Sequence, residues 1–456
     1  MLKFRTSIFA LAAISAASIG AAVPAAATEG YSAIGFGARE KALAGAGVAD
    51  SRDATAASLN PAGLVHVGDE ITMSVSAFSP RRSFSTDGPG LLIDQVNIDS
   101  DKNWFFIPNL AWSTRKLANP LFDVMAFTMV GNGGMNTSYP TFTNNNLGFC
   151  PPGSQGVFCS GKAGINLLQM VMSVAFAKQI APGISVGVAP MMALQSFDAH
   201  GTDLFAGASI TGNVSGNRND WSVGGGVRAG VEIEPMKGFR IGVAGTTPIW
   251  MQDFEKYDGF FAERGGFDIP ASLHAGVAVD INPALTLMFD WRYIWYSSVD
   301  SVGNPMANLG GCTFGAPTEP GCLGGSRGAG FGWDDINILK FGVEYRANDK
   351  LTLRAGYAWN EQPINKADVS FNILAPAVTQ HHITGGLEYN LGNGYHLELA
   401  GMYAPTGKVT GPEFFNAGAQ AQGAPLPDQN VTLEMYQYEF TVGIKYKFDE
   451  VAAPLK

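Results

Sequence analysis

From Tyr436 to Phe448 apolar and polar residues alternate without a break. Tyr436, Tyr438, Phe440, Val442, Ile444, Tyr446 and Phe448 share one face, and Gln437, Glu439, Thr441, Gly443, Lys445 and Lys447 share the other. Successive side chains of a strand point to opposite faces, so a period of two marks a strand lying between two different surroundings. The run is longer than the roughly 9–11 residues that a tilted strand needs to cross a bilayer. The pattern recurs upstream. Leu285, Leu287, Phe289, Trp291, Tyr293 and Trp295 oppose Thr286, Asp290 and Arg292, and Leu351, Leu353, Ala355, Tyr357 and Trp359 oppose Thr352, Arg354 and Asn360. Leu273, Ala275, Val277, Val279 and Ile281 oppose His274 and Asp280. An Arg or Lys facing lipid at mid-bilayer costs about 2–4 kcal/mol, so the polar faces must look into a lumen.

Segments of this kind predict about fourteen strands. They start near Glu70, Asn103, Phe122, Ile165, Ile184, Asp220, Phe239, Asp268, Leu285, Asp334, Leu351, Thr379, Tyr395 and Val431. Short turns, such as Ala181–Gly183, Pro235–Gly238, Asn282–Ala284 and Gly392–Gly394, alternate with long loops at 79–102, 131–164, 198–219, 252–267, 300–333, 361–378 and 410–430. Short periplasmic turns and long outer loops are the usual asymmetry of outer-membrane barrels. The expected fold is therefore all-β: a transmembrane antiparallel barrel over residues 69–448, closed by an aromatic-ended last strand, with 449–456 as a short periplasmic tail. A secreted array of β-sandwiches is the competing architecture.

Composition narrows this further. The chain is 46% hydrophobic but only 15% charged, with 57 glycines, against roughly 25% charged residues in an ordinary soluble domain. Past the N-terminus no apolar stretch reaches the roughly twenty residues of a membrane helix. Lys3 and Arg5, the apolar Ile8–Val23 and the small residues Ala25–Ala27 read as a cleaved signal peptide, residues 1–27, so the mature chain begins at Thr28. The net charge of −10 argues against nucleic acid as a partner. Four cysteines fall in two close pairs inside long loops. In an exported chain these read as Cys150–Cys159 and Cys312–Cys322 disulfides, and neither pair has the neighbours of a metal site.

A barrel of this size cannot fill its lumen with its own strands' side chains. Residues 28–68, rich in Ala and Gly and with a tight-turn candidate at Asn60-Pro61-Ala62, suit a hatch folded inside it; a disordered periplasmic leader is the alternative.

Several motifs, in order along the chain, carry a resemblance. These are the Ala44–Gly47 Ala-Gly run followed by Asp53 and Asn60-Pro61-Ala62-Gly63-Leu64, then Phe106-Ile107-Pro108, LRAGYAWNEQPI at 353–364, NILAP at 372–376, and Gln380-His381-His382-Ile383-Thr384. The mature chain resembles the FadL family of outer-membrane transporters for long-chain fatty acids and other hydrophobic compounds. The resemblance implies a fourteen-stranded barrel plugged by an N-terminal hatch that holds the Asn-Pro-Ala motif. It also implies capture of a hydrophobic ligand among the outer loops, binding in a lumen pocket, hatch movement, and lateral exit beside a kinked third strand. Such transport is passive and needs no cofactor. Gly131, Asn132, Gly133 and Gly134 at the end of the third strand are the lateral-gate candidates, read either as a kink or as the start of an outer loop.

Arg228, Arg292, Lys340, Arg354 and Lys445 have inward parity, and buried cations need partners such as Glu344, Glu398 or Glu439. Arg228, Arg292 and Lys340 sit at or above mid-height and are the candidates to meet a ligand's carboxylate, with Ile294, Ile336 and Ile338 lining an apolar pocket between them. Gly324–Gly328 matches G-x-S-x-G around Ser326, and His382 lies elsewhere in the chain, but the strand–elbow–helix context of a hydrolase is missing. The chain is expected not to be an enzyme. A non-selective diffusion pore and an adhesin or lipid hydrolase remain as alternatives. The expected partners are a hydrophobic small molecule, outer-membrane lipid and lipopolysaccharide, and the barrel-assembly machinery, with the chain a monomer.

Overall fold

The structure, a computed structural model, describes residues 28–318 and 320–450. The expected signal peptide and residues 451–456 lie outside them. The strands, numbered in chain order, are β1 (Glu70–Thr86), β2 (Asn97–Asp99), β3 (Phe105–Thr114), β4 (Val124–Asn136), β5 (Gly164–Ala181), β6 (Ile184–His200), β7 (Asp220–Met236) and β8 (Phe239–Thr246). They continue with β9 (Trp250–Met251), β10 (Ser272–Asn282), β11 (Leu285–Ile294), β12 (Ile336–Arg346), β13 (Leu351–Asn360), β14 (His381–Gly392), β15 (Tyr395–Pro412) and β16 (Asn430–Lys447). β2 and β9 are short additions, and the remaining strands form a closed antiparallel barrel of 14 strands. Each long strand pairs with its sequence neighbour, and β1 closes the ring on β16 from Glu70↔Lys447 to Thr86↔Val431.

Two solvents explain the alternation. On β16, Tyr438, Phe440, Val442 and Ile444 are exposed on the outer face, whereas Gln437, Glu439, Thr441 and Lys445 are buried in the lumen. The strand starts agree with the sequence reading or shift by a few residues; the largest shift is at β10, which begins at Ser272 rather than near Asp268. Four loops start later than expected, those after β6 and β15 by only a few residues and those after β1 and β4 by more. β1 continues through the polar Ser79–Thr86, and β4 continues to Asn136. On β1 the residues look like a loop because the outward face, Arg81, Ser83 and Ser85, no longer needs apolar side chains above the lipid belt, and on β4 because Gly131–Gly134 interrupts the alternation. Both cysteine pairs form disulfides within the outer loops, with Cα–Cα distances of 6.2 and 4.9 Å.

The N-terminal segment lies inside the barrel. Nearly all of residues 28–67 are buried, and they fold as a short helix, α1 (Gly37–Ala42), and two 3-10 turns, Ala54–Ser58 and Pro61–His66. Ala44, Gly45 and Gly47 have φ of 54°, 75° and 131°, so the Ala-Gly run supplies a left-handed path that larger residues avoid. The barrel wall makes room with glycines. A Cβ at Gly230 would collide with the Asn60 amide oxygen, and one at Gly242 with the Val48 carbonyl. Asn60 itself accepts from the Ala62 N–H (3.1 Å) and donates to Val48 O (2.8 Å) and to Val231 O of the wall (3.2 Å). That pattern is an Asx turn leading into a proline-started 3-10 helix, with the side chain also tying the hatch to β7.

Candidate lumen site and lateral seam

The lower lumen is a floor of ion pairs. Arg354 meets Glu344 (2.8 Å) and Glu388 (2.5 Å), and Lys445 meets Glu388 and Glu398 (3.1 Å each). The hatch joins in. Arg39 bonds Asp50 (2.6 Å) and Glu344 (3.1 Å), Arg240 of the wall bonds Asp50 (2.7 Å), and Lys41 pairs with Glu439. Buried charges persist only with good partners, and here hatch and wall supply each other's.

The upper lumen is apolar and aromatic. The outer loops fold inward and, with Phe197 of β6, contribute Phe205, Phe254, Phe261, Phe267, Tyr296, Trp333 and Phe371 to one large buried cluster that also holds Ile294, Ile336 and Ile338. Tyr31, from the start of the hatch, inserts into it. Its ring centroid lies 5.0 Å from Tyr296, 5.7 Å from Trp333 and 6.0 Å from Phe267.

Arg292 and Lys340 do converge, as their parity implied, but on a carboxylate the chain already owns. Glu29, fully buried, takes Arg292 Nη1 on Oε2 (2.7 Å) and Lys340 Nζ on Oε1 (2.6 Å). Lys340 also donates to Ile34 O (2.8 Å), and the Tyr296 hydroxyl donates to Glu29 O (2.5 Å). The expected partners Glu344, Glu398 and Glu439 therefore serve the floor and the hatch, not this pair. Arg228 donates to Thr246 Oγ1 (3.0 Å) and lines a small pocket with Ile34, Phe36 and Arg292.

Directly after Tyr31 the hatch reaches the barrel wall. β3 pairs with β4 only from Thr114↔Met125 to Asn109↔Val130, while β4 stays paired with β5 as far as Asn136↔Asn166. Above Val130 the β3–β4 ladder is open, and Pro108 on β3 has no N–H to extend it. The β4–β5 register slips between Gly131 and Gly133, leaving Asn132 as a bulge residue, which bends the strand. Of the two readings of Gly131–Gly134, the strand with a local distortion is the one observed. The hatch fills part of the opening: Ala33 N donates to Asn132 O (2.9 Å) and Gly134 N donates to Tyr31 O (2.9 Å). Ile107 covers Gly131 from β3. Against this seam lies an apolar pocket lined by Phe78, Phe105, Met135, Trp333, Met435 and the Ala375–Ala377 strand-approach segment, with Gly30 and Arg82 at its edge.

Ser326 and His382 do not form a hydrolase pair. Ser326 is exposed on an outer loop, and His382 is buried on β14. Gly324–Gly328 is a run of turns with neither a strand before it nor a helix after it. Among the described residues, no group of His, Cys, Asp and Glu is arranged to hold a metal ion.

The sequence reading missed Glu29 and Arg82. Glu29 sits in a segment without strand periodicity, so nothing local announces its height in the lumen. Arg82 was hidden because Pro80-Arg81-Arg82 looks like a loop, although Phe78, Arg82 and Phe84 keep one parity.

A closed barrel with outward apolar faces, a lumen hatch and an interrupted third barrel strand defines a hatch-plugged outer-membrane β-barrel. Residues 262–448 match the family described as "Outer membrane protein transport protein (OMPP1/FadL/TodX)". Among solved structures, the Pseudomonas putida toluene transporter TodX has a TM-score of 0.63 at 15% identity, covering 91% of this chain and 99% of that one. A Pseudomonas aeruginosa FadL homologue has a TM-score of 0.63 at 15% identity, over 92% of this chain and 100% of that one. The Ralstonia pickettii toluene transporter TbuX reaches 0.54 at 16% identity, over 91% and 99%. At these identities the structural likeness is one of fold. No curated protein matches the sequence. Residues 262–448 are thus similar to the OMPP1/FadL/TodX family of outer-membrane transport proteins, and the barrel as a whole shares the fold of the solved transporters.

Proposed function

We propose that the protein carries long-chain fatty acids or related hydrophobic molecules passively across the outer membrane. The ligand is gathered among the outer loops, enters the apolar pocket, displaces the start of the hatch and leaves sideways through the β3–β4 seam. The observation that supports this most directly is the seam itself: an apolar pocket, a bulged strand edge and the hatch residues Tyr31–Ala33 meet at one place. In this reading Arg292 and Lys340 hold the hatch start through Glu29, and a ligand head reaches them only after Glu29 withdraws. Ile294, Ile336 and Ile338 line the apolar route, and Arg228 borders its inner side. Export uses a signal peptide cleaved before Thr28, and the chain works as a monomer placed among lipopolysaccharide by the assembly machinery.

Cross-linking the seam tests lateral exit. A Cβ at Gly131 would lie 3.8 Å from Ile107 Cβ, within the range a disulfide bridges. Ile107→Cys with Gly131→Cys should lose uptake of hydrophobic substrate when oxidised and regain it on reduction. Unchanged uptake in the oxidised protein rejects the lateral route. A large steady conductance of the wild type in planar bilayers favours the diffusion pore instead.

A further inference from the structure

Two glutamines interrupt an apolar stretch of the lumen wall. On β5 the inward residues Leu167 and Val171 flank Gln169, and on β6 Ala193 and Phe197 flank Gln195; all six are buried. The two glutamines stand directly opposite each other in the ladder. Buried amides are costly unless they find hydrogen-bond partners, and here they form a chain. Gln195 Nε2 donates to Phe267 O (2.7 Å), Gln169 Nε2 donates to Gln195 Oε1 (2.8 Å), and Asn132 Nδ2 donates to Gln169 Oε1 (3.2 Å). Its direction is forced. A main-chain carbonyl only accepts, so Phe267 fixes which end of Gln195 faces it, and each amide then fixes the next.

The chain runs from an outer loop to the seam. Asn132 is the bulge residue of β4, and its own carbonyl takes the hatch N–H of Ala33 (2.9 Å). At the other end, the Phe267 ring lies 6.0 Å from Tyr31, whose carbonyl takes the N–H of Gly134 (2.9 Å). Phe267 therefore reaches the seam twice, through its carbonyl and through its ring. The loop just before it is strained. Glu263 and Arg264 have φ of 54° and 62°, a left-handed path that side chains disfavour. Two carbonyls of a neighbouring outer loop hold them there: Gly325 O accepts from Glu263 N (2.9 Å) and Gly324 O from Arg264 N (3.1 Å). A strained segment persists only while its surroundings hold it, so the loop is the end that moves and the bulge is the end that responds.

We propose that Gln169 and Gln195 are positioning residues that tie the lateral seam to the outer loop around Phe267. While the loop is docked, the amide chain holds the Asn132 bulge against the hatch. When a hydrophobic ligand parts the outer loops, Phe267 withdraws, the chain loses its last acceptor, and Asn132 is released together with Tyr31. This rests on the transport reading and adds to it a device that opens the seam only after capture above.

Amide hydrogen exchange on the full mature barrel in lipid nanodiscs tests the tie, with heat-modified mobility on gels as the folding check. Phe254, whose N–H bonds Gly265 O, reports the loop, and Ala33 reports the seam. Gln195→Leu should speed exchange at both about three- to tenfold, the scale of a lost hydrogen bond, although Gln195 bonds neither amide. Coupling between sites is reciprocal, so Asn132→Ala should also speed Phe254. The double variant should exchange no faster than the faster single one, because one break already severs the chain. Gln169→Met cuts the middle link and serves should the leucine protein not fold. If Gln195→Leu speeds the loop alone and Asn132→Ala the seam alone, or if neither changes exchange, the amides only fill the wall and the tie is overturned. These measurements need no ligand, so that result leaves the transport reading standing. A tie that holds in a barrel whose oxidised seam still takes up substrate rejects lateral transport instead.

Discussion

The lower and upper halves of the lumen are held by opposite physics. Below, hatch and wall share a network of buried and half-buried charged groups, among them Arg39, Asp50, Arg240, Glu344, Arg354, Glu388, Glu398 and Lys445. Above, outer loops and Tyr31 pack aromatic rings with few charges. Ion pairs have specific geometry, and removing one member leaves another buried and unpaired. Aromatic packing is closer to area-dependent and tolerates rearrangement better. The hatch is thus fastened rigidly at its base and held by a more adaptable contact at its start, where a ligand would push. Glu29, Arg292 and Lys340 carry the electrostatic fastening up into the apolar half.

Arg354→Ala should have the largest effect, because Glu344, Glu388 and Glu398 would lose a shared cation. A loss of about 3–5 kcal/mol is expected in denaturant unfolding of the reconstituted barrel, and a loss below about 1 kcal/mol would show that water penetrates the floor. Phe197→Ala comes next. It removes the ring that contacts Phe254, Tyr257, Phe260 and Phe261 and should cost about 3 kcal/mol locally. Its signature is protease-sensitive outer loops on a barrel whose own unfolding midpoint is unchanged; a shifted midpoint would mean the two halves are one cooperative unit.

Glu29→Gln should cost about 2 kcal/mol at the start of the hatch, through the loss of two charged contacts. Amide exchange at Ala33 and Gly134 should quicken while the Asn60 region stays protected. Equal acceleration at both would contradict the separate fastening. The smallest effect concerns His66, at the periplasmic end of the hatch, whose Nε2 lies 2.8 Å from Glu232. That hydrogen bond, acting against partial burial, raises the His66 pKa above its usual 6.5. A raised folded-state pKa stabilises fully below the unfolded value, and the contribution disappears as pH climbs through the folded one. Since the ring is 44% exposed, solvent screening keeps this under about 1 kcal/mol. The hatch should therefore loosen slightly as pH rises above about 6.5, as read by exchange near Val67, and His66→Gln should remove the dependence.

Most of the barrel was legible in the chain because each strand's alternation is a local record of lipid on one side and lumen on the other. Tyr438–Ile444 against Gln437–Lys445 needs no knowledge of distant residues. The site was legible only in part. Parity assigned Arg292, Lys340, Ile294, Ile336 and Ile338 to the lumen, where they are, but parity says nothing about which group occupies the space between them. Gly131–Gly134 signalled a departure from regular strand without saying whether the strand continues.

What the sequence determined by itself was therefore periodic: the strands, their inward and outward faces, the alternation of short turns with long loops, and an N-terminal stretch unsuited to be a strand. Tertiary structure decided the pairings. Glu29 meets Lys340 across 311 residues, and Tyr31 meets the β4 bulge only because the barrel closes and the hatch folds up its axis. Ion pairs and an unpaired strand edge are properties of what lies opposite in space, and closure of the ring is the step that determines it.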